Sequence, residues 1–299
     1  MRDDVLEKIS ELRDVEIMRN EPLSLHTGFR TGGAAYAVLV PSSKQSFLDC
    51  IELLCAGNAK YYILGFGSNV LAEDNGYDGF ILKTQKALCE IEFHGNTVVC
   101  GAGTSLKRLC TECANRGLGG MEFAYGIPGT VGGAVYMNAG AYDGEMKDVL
   151  VSVTAQDVDG KIKKLDVQQL LLGYRKSAFQ TNNMVILSAE LALMQKDKTE
   201  IMSKMEDFMN RRKEKQPLEF PSCGSTFKRP DGTFAGKLID ECGLRGFGIG
   251  GAQVSNKHCG FIVNANRATS YDIKQLIEYV RAVVLETTGY SLECEIRFL

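Results

Sequence analysis

Nothing in the 299 residues approaches the run of about 20 apolar residues that a membrane-spanning helix needs. A basic excess is also missing: 34 Lys and Arg stand against 37 Asp and Glu, a formal charge of -3, which argues against a nucleic-acid-binding surface. The opening MRDDVLEKISELRD is charged throughout and lacks the apolar core of a secretory signal. These absences make a cytoplasmic enzyme the default expectation, with no membrane or nucleic-acid partner. Ten cysteines are present, but the Cys110-x-x-Cys113 pair has no second pair and no neighbouring histidine. A structural zinc site needs four ligands, so no metal is expected, and the cysteines read as small buried hydrophobes. A dinucleotide fingerprint is absent too. After Gly65-Phe66-Gly67, Val70 stands where G-x-G-x-x-G requires glycine.

What the chain does have is glycine in particular places. The stretch Gly126 to Gly144, GIPGTVGGAVYMNAGAYDG, holds six glycines among apolar residues such as Ile127, Val131 and Val135. A flexible linker would interleave serine and charge. Glycine admits positive φ and close approach of a backbone to another molecule, and successive N–H groups in such a turn form an anion-binding concavity. A loop lying against a phosphate-bearing ligand is therefore the expectation, with Thr130 and Asn138 as its small polar side chains.

Two further glycine junctions follow strands: Gly65-Phe66-Gly67-Ser68-Asn69 after a strand Lys60–Leu64, and Gly101-Ala102-Gly103 after a strand Thr97–Cys100. Three junctions of this density point to one shared ligand. Around them, periodicity predicts helices over 3–14, from Ser42 or Ser43 to about Ala56, from a Thr104 cap onward, and over 200–215, 235–242 and 271–287. It also predicts a strand 87–93, a strand Gly260–Val263 and a closing strand Leu292–Phe298. Glu293, Glu295 and Arg297 would share one face of that last strand. Arg30, beside Gly32-Gly33, reads equally as an anion contact or as a solvated turn arginine.

Ten stretches in order resemble the UDP-N-acetylenolpyruvoylglucosamine reductase (MurB) family: TGFRTGG, LGFGSNVL, GAGTSL, GIPGTVGGAVYMNAGAYDGEM, YRKSAF, QPLEFPSCGSTFKRP, AGKLIDECGL, IGGAQVS, HCGFIVN and ECEIRF. The resemblance implies an α+β protein with an FAD-binding fold of the vanillyl-alcohol oxidase (PCMH) type in two subdomains, plus a C-terminal α+β substrate domain. The implied division is 1–83 (with 292–299 returning to it), 84–197 and 198–299. It implies an oxidoreductase of peptidoglycan synthesis that uses FAD and NADPH to reduce the enolpyruvyl group of a UDP-sugar to UDP-N-acetylmuramate, working as a monomer. An alcohol or hydroxy-acid oxidase of the same fold is the alternative reading.

Carried over motif by motif, Arg175 would stabilise the negative charge that develops on the substrate, Ser225 would donate the proton and Glu295 would help polarise the enolate. FAD would lie against Leu64, Gly65, Phe66, Gly67, Ser68, Asn69, Gly101, Ala102, Gly126, Pro128, Gly129, Thr130, Gly132, Gly133, Ala134, Asn138 and Gly140. The substrate would meet Tyr174, Arg211, Arg212, Lys228 and Arg297. Two departures stand out: Gly28 replaces a residue that is usually polar or β-branched, and Cys223 replaces the commoner alanine beside the serine. Between Ala178 and the next long strand there is no room for an inserted lid segment, so the chain resembles the shorter form.

Overall fold

The computed structural model describes residues 2–142 and 144–299; Met1, and Asp143 within the glycine-rich stretch, lie outside the described residues. The chain forms two compact units with interleaved segments. The first comprises Met1–Arg19, Ala37–Gly65 and Gly79–Arg211, and the second Asn20–Tyr36, Phe66–Asp78 and Arg212–Leu299. Of the three segments expected from sequence, 84–197 falls wholly in the first unit, while 1–83 and 198–299 are each shared between the two. No helix among the described residues is long and apolar enough to cross a membrane.

In the first unit a five-stranded antiparallel sheet runs in the order Ile162–Asp166, Leu150–Gln156, Val185–Ala192, Thr97–Gly101, Ile91–His94. Its inner positions alternate as a half-buried sheet requires; Val153, Ala155, Leu187, Ala189 and Leu191 are buried. The helix Leu106–Asn115 buries Leu106, Leu109, Cys110 and Cys113 on one face. Its cap is Ser105, whose hydroxyl accepts from Arg108 N, and not the expected Thr104. Thr104 is fully buried instead, with its N–H bonded to Gly101 O. The helix Lys44–Ala56 starts at a capping box formed by Ser43 and Ser46 and buries Phe47, Cys50, Ile51 and Leu54. Tyr61–Leu64 pairs in parallel with Phe80–Lys83. The expected strand 87–93 is shorter, Ile91–His94, because residues 84–88 close a turn through Leu88 N–H to Thr84 O.

In the second unit, three short antiparallel strands, Gly248–Ile249, Ala252–Val254 and Ile262–Asn264, lie against the helix Ser270–Thr288. That helix begins at a Thr269–Asp272 capping box and ends at Gly289 in the left-handed region. Its buried stripe Ile273, Leu276, Ile277, Val280 and Val284 joins Phe29, Leu71, Phe227, Leu238, Ile239, Leu292 and Ile296 in one core. The expected strand 292–298 is reduced to Arg297–Phe298, which runs parallel to Val70–Leu71. Upstream, Cys294 forms an isolated bridge with Phe227. The segment changes partner partway along, so one continuous ladder cannot form.

Candidate active site

Gly65, the first residue of its junction, meets the other two glycine junctions inside the first unit. Gly65 follows the strand Tyr61–Leu64, and a Cβ there would stand 2.6 Å from Thr130 Oγ1. Gly132 packs on the second junction, where a Cβ would stand 2.9 Å from the Ala102 Cβ. Backbone bonds fix the same contact: Gly132 N–H to Ala102 O at 2.8 Å, Val131 N–H to Thr104 O at 2.9 Å and Leu106 N–H to Gly129 O at 3.0 Å. Gly101 and Gly103 back directly onto the carbonyls of Leu88 and Thr84.

The stretch is not the open loop expected from sequence. Val131–Met137 is a short helix capped by Thr130, whose hydroxyl accepts from Gly133 N, and it ends at Asn138 in the left-handed region. Glycines at its second and third positions cost roughly 1 kcal/mol each relative to alanine, and the contact of Gly132 with Ala102 explains why that cost is tolerated. The N–H groups of Val131, Gly132 and Gly133 are thus already bonded within the protein. Those of Gly126, Gly129 and Thr130, just ahead of the helix, have no partner among the described residues.

Sequence reasoning missed a cation at this place. Lys83, 7% exposed, donates from Nζ to Gly65 O at 2.9 Å, and Gln85 Nε2 donates to the same carbonyl at 2.8 Å. Burial pushes the Lys83 ammonium down to about 8, since charge is disfavoured away from water. In FILKTQ it read only as the polar end of a strand.

Asn138 is fully buried, and both its N–H groups donate within the protein, to Glu145 Oε2 at 2.7 Å and Gly173 O at 2.9 Å. Its Oδ1 accepts from Lys147 N at 2.9 Å. It clamps the end of the glycine stretch to the YRKS turn. That turn is closed by reciprocal bonds between Gly173 and Lys176, with Arg175 at φ 53°. Arg175 Nη1 donates to Gly140 O at 3.3 Å, and Ser177 Oγ and Gln180 Nε2 both donate to Tyr136 O. Arg175 is therefore anchored on the glycine stretch itself. Tyr174 is exposed beside it, its ring 5.4 Å from the guanidinium carbon. Arg211 lies on an exposed helical face and pairs with Asp207 at 2.8 Å.

The second unit holds Ser225, Glu295, Lys228, Arg212, Arg297 and the residues Phe66–Asn69. Gly224, at φ 76°, turns the chain so that Ser225 stands exposed, and the Ser225 hydroxyl has no partner among the described residues. The next residue, Thr226, is fully buried: its O accepts from Glu295 N at 2.9 Å and its Oγ1 from Ile262 N at 3.0 Å. Ser225 and Glu295 are thus carried on adjacent segments bonded to each other. Lys228 is paired with Glu293. Asn69 reaches the same region, with Nδ2 donating to Glu295 O at 3.1 Å and its O accepting from Arg297 N at 3.0 Å.

The two departures, Gly28 and Cys223, touch one another. A Cβ on residue 28 would stand 2.6 Å from Ser222 O and 3.2 Å from Cys223 Sγ. Cys223 is buried, its thiol donates to Val70 O at 3.4 Å, and burial pushes its pKa up to about 12. It is a packing residue and not a thiolate nucleophile. Cys110 and Cys113 are likewise buried, with Cys110 Sγ donating to Met121 O.

Comparison with known proteins agrees with this architecture. The C-terminal domain model of UDP-N-acetylenolpyruvoylglucosamine reductase matches residues 216–299, and an FAD binding domain model matches residues 35–166. The UDP-N-acetylenolpyruvoylglucosamine reductase of Clostridium botulinum (strain Alaska E43 / Type E3) is 45% identical over 287 residues, 96% of this chain and 94% of that one. The reductase of the same name from Caldanaerobacter subterraneus subsp. tengcongensis is 42% identical over 300 residues, 100% of this chain and 99% of that one. Among solved structures, the reductase from Thermus caldophilus superposes with a TM-score of 0.79 at 34% identity, covering 95% of this chain and 98% of that one. This chain passes from the turn Ala178–Gln180 to the strand Val185–Ala192 without an insertion. On identity, coverage and shared architecture, the chain belongs to the UDP-N-acetylenolpyruvoylglucosamine reductase family.

Proposed function

We propose that this protein reduces the enolpyruvyl group of a UDP-N-acetylglucosamine derivative to the lactyl ether, with FAD as bound cofactor and NADPH as reductant, acting as a cytoplasmic monomer. Family membership supports this reading, and so does the observation that carries it on the chain itself: three glycine junctions closing on Thr130, with unbonded amides and a buried cation beside them.

Those residues fit the dinucleotide. The free N–H groups of Gly126, Gly129 and Thr130 suit phosphate oxygens, and Lys83 supplies a desolvated positive charge next to Gly65. Asn138 serves by holding the stretch in place. When bound, FAD would accept hydride from NADPH and pass it to the terminal carbon of the substrate double bond.

The remaining chemistry falls to side chains of the protein. Hydride addition at one carbon leaves negative charge on its neighbour and on the attached carboxylate. Arg175, permanently cationic and able to grip a carboxylate with two parallel N–H donors, is assigned to that charge; its bond to Gly140 O fixes it before substrate arrives. Donors preorganised toward developing charge usually supply the largest catalytic contribution. Ser225 is assigned the proton, delivered from Oγ to the carbanionic carbon. Its hydroxyl is exposed and unbonded, hence available, and the alkoxide left behind regains its proton from solvent. Glu295 is assigned to the enolate oxygen, where a protonated carboxyl would donate. Tyr174, Arg211, Arg212, Lys228 and Arg297 are the candidate contacts for the rest of the sugar nucleotide. Lys228 would have to exchange Glu293 for phosphate.

The test is steady-state turnover of the FAD-loaded protein. NADPH oxidation that depends on the enolpyruvyl UDP-sugar supports the reading. Rapid oxygen consumption with alcohols or hydroxy acids, and indifference to NADPH, would replace it with the oxidase alternative.

A further inference from the structure

A second cationic place in the molecule lies outside everything assigned above. In the second unit a cleft of about 420 Å³ is lined by Arg30, Pro221, Asn264, Arg267 and Ala268. No carboxylate is among its lining residues. The guanidinium groups of Arg30 and Arg267 have no hydrogen-bond or ion-pair partner among the described residues. Surface arginines commonly swing toward a nearby acid, as Arg245 does toward Asp240 and Arg281 toward Glu278.

Both arginines also sit in the left-handed region, Arg30 at φ 56° and Arg267 at φ 50°. That conformation is unfavourable for a residue with a Cβ, and persists only where the surroundings enforce it. A single side chain enforces both. Asn264 Nδ2 donates to Phe29 O at 2.9 Å, immediately before Arg30, and its Oδ1 accepts from Ala268 N at 2.7 Å, immediately after Arg267. Asn264 N–H is in turn bonded to Pro221 O at 2.9 Å, which fixes the third wall. Gly251 O accepts from both Ala265 N and Asn266 N, so the turn carrying Arg267 is held from behind. Two acids of the same unit are committed to backbone donors. Asp74 accepts from Ser270 N and Tyr271 N, and Asp272 accepts from Gly251 N and Thr269 N. Their bonds hold the start of the helix Ser270–Thr288.

We propose that Arg30 and Arg267 form an anion site for a phosphoryl group, distinct from the catalytic residues. Two guanidinium forks match a tetrahedral dianion better than a single carboxylate, which one fork would saturate. The cleft volume lies near the lower end of the small-molecule range, large enough for a phosphate carried on an organic group as well as for the free ion. The shared chemistry is the phosphoryl oxyanion, and the two sources are inorganic phosphate or pyrophosphate and a nucleotide monophosphate.

The experiment is calorimetric titration of the FAD-loaded protein with inorganic phosphate, pyrophosphate and UMP, for wild type, R30Q, R267Q and R30Q/R267Q. Each single variant should weaken binding about tenfold, the loss expected for one charge-assisted contact, and the double variant should abolish it. Similar affinity for pyrophosphate and UMP would assign the free-ion source, and selective binding of UMP the nucleotide source; either result supports the site. R30K/R267K keeps the charge without the forks and should bind more weakly than wild type but more tightly than the double glutamine variant. Thermal unfolding of each variant serves as the folding control. Unchanged anion binding in folded R30Q/R267Q, or loss of binding in K228M instead, would overturn the proposal. So would the absence of any phosphoryl binding to wild type at millimolar concentration.

Discussion

In the first unit Gly65, Gly103 and Gly132 face atoms that leave no room for a Cβ. In the second unit Gly224, beside Ser225, has nothing within 4 Å of where a Cβ would stand, but holds φ at 76°. The same residue type therefore answers two different demands. Around Thr130 glycine is needed because backbones approach one another, and the outcome is a packed surface with a few unbonded amides. At Ser225 it is needed because the chain must turn sharply into solvent, and the outcome is a single exposed hydroxyl. On the proposed function, one region would bind through its main chain and the other would act through a side chain.

The largest effect should come from the side chain. Ser225→Ala leaves the Gly224 turn untouched and should slow substrate reduction by about 10²- to 10⁴-fold, the range for a positioned proton donor. Flavin reduction by NADPH should stay within about twofold of wild type. Rapid-mixing absorbance of the flavin measures both steps, and equal losses in the two would break the distinction between the regions.

Next come the packed glycines. Gly132→Ala pushes a methyl group against Ala102 and should cost about 1–3 kcal/mol, the usual penalty for overpacking, and weaken FAD retention. Urea midpoints and flavin content after gel filtration provide the check.

Lys83→Met should separate binding from stability. Folding lowers the Lys83 pKa from 10.5 to about 8. Below pH 8 the ammonium is charged in both states and its burial opposes folding in full. Between pH 8 and 10.5 the folded protein releases the proton while the unfolded chain keeps it, so stability rises with pH through that window. Over the whole window the gain is about 3 kcal/mol. In cofactor-free protein, Lys83→Met should abolish this rise and be more stable at pH 7, yet bind FAD about tenfold more weakly. Urea denaturation between pH 7 and 10, with fluorescence titration of FAD, reads both; a variant that binds FAD as tightly as wild type would remove Lys83 from the cofactor site.

Gly28→Ala places a methyl group 2.6 Å from Ser222 O and should cost roughly 1–2 kcal/mol. Adding Cys223→Ala relieves only the sulfur contact, so chemical denaturation of the double variant should show partial recovery. The smallest effect belongs to Gly224→Ala, where only backbone strain opposes the methyl group: about 1 kcal/mol in the same assay. A cost above that of Gly132→Ala would invert the comparison.

How far these features were legible in the sequence follows the same division. Glycine records the absence of a side chain directly, so the three junctions and their convergence could be read from spacing. So could the helix at 271–287, whose apolar period survives as its buried stripe. What could not be read were partners chosen by tertiary contact. Val131–Met137 becomes a helix because the Thr104 and Ala102 carbonyls take its first amides, and local glycine content argues against that. Asn138 looked like a ligand residue and is spent on internal bonds. Lys83 carried no signal, since burial of a strand-end lysine depends on which strand lies beside it. The pairing of Gly28 with Cys223 was invisible because the two positions lie far apart along the chain and meet only after folding.

The most direct measurement of the central claim is anaerobic and follows the flavin alone. FAD-loaded protein is reduced with one equivalent of NADPH and then mixed with the enolpyruvyl UDP-sugar. The yellow absorbance should return within a single turnover, with UDP-N-acetylmuramate formed in equal amount. A flavin that stays bleached until oxygen is admitted would contradict it.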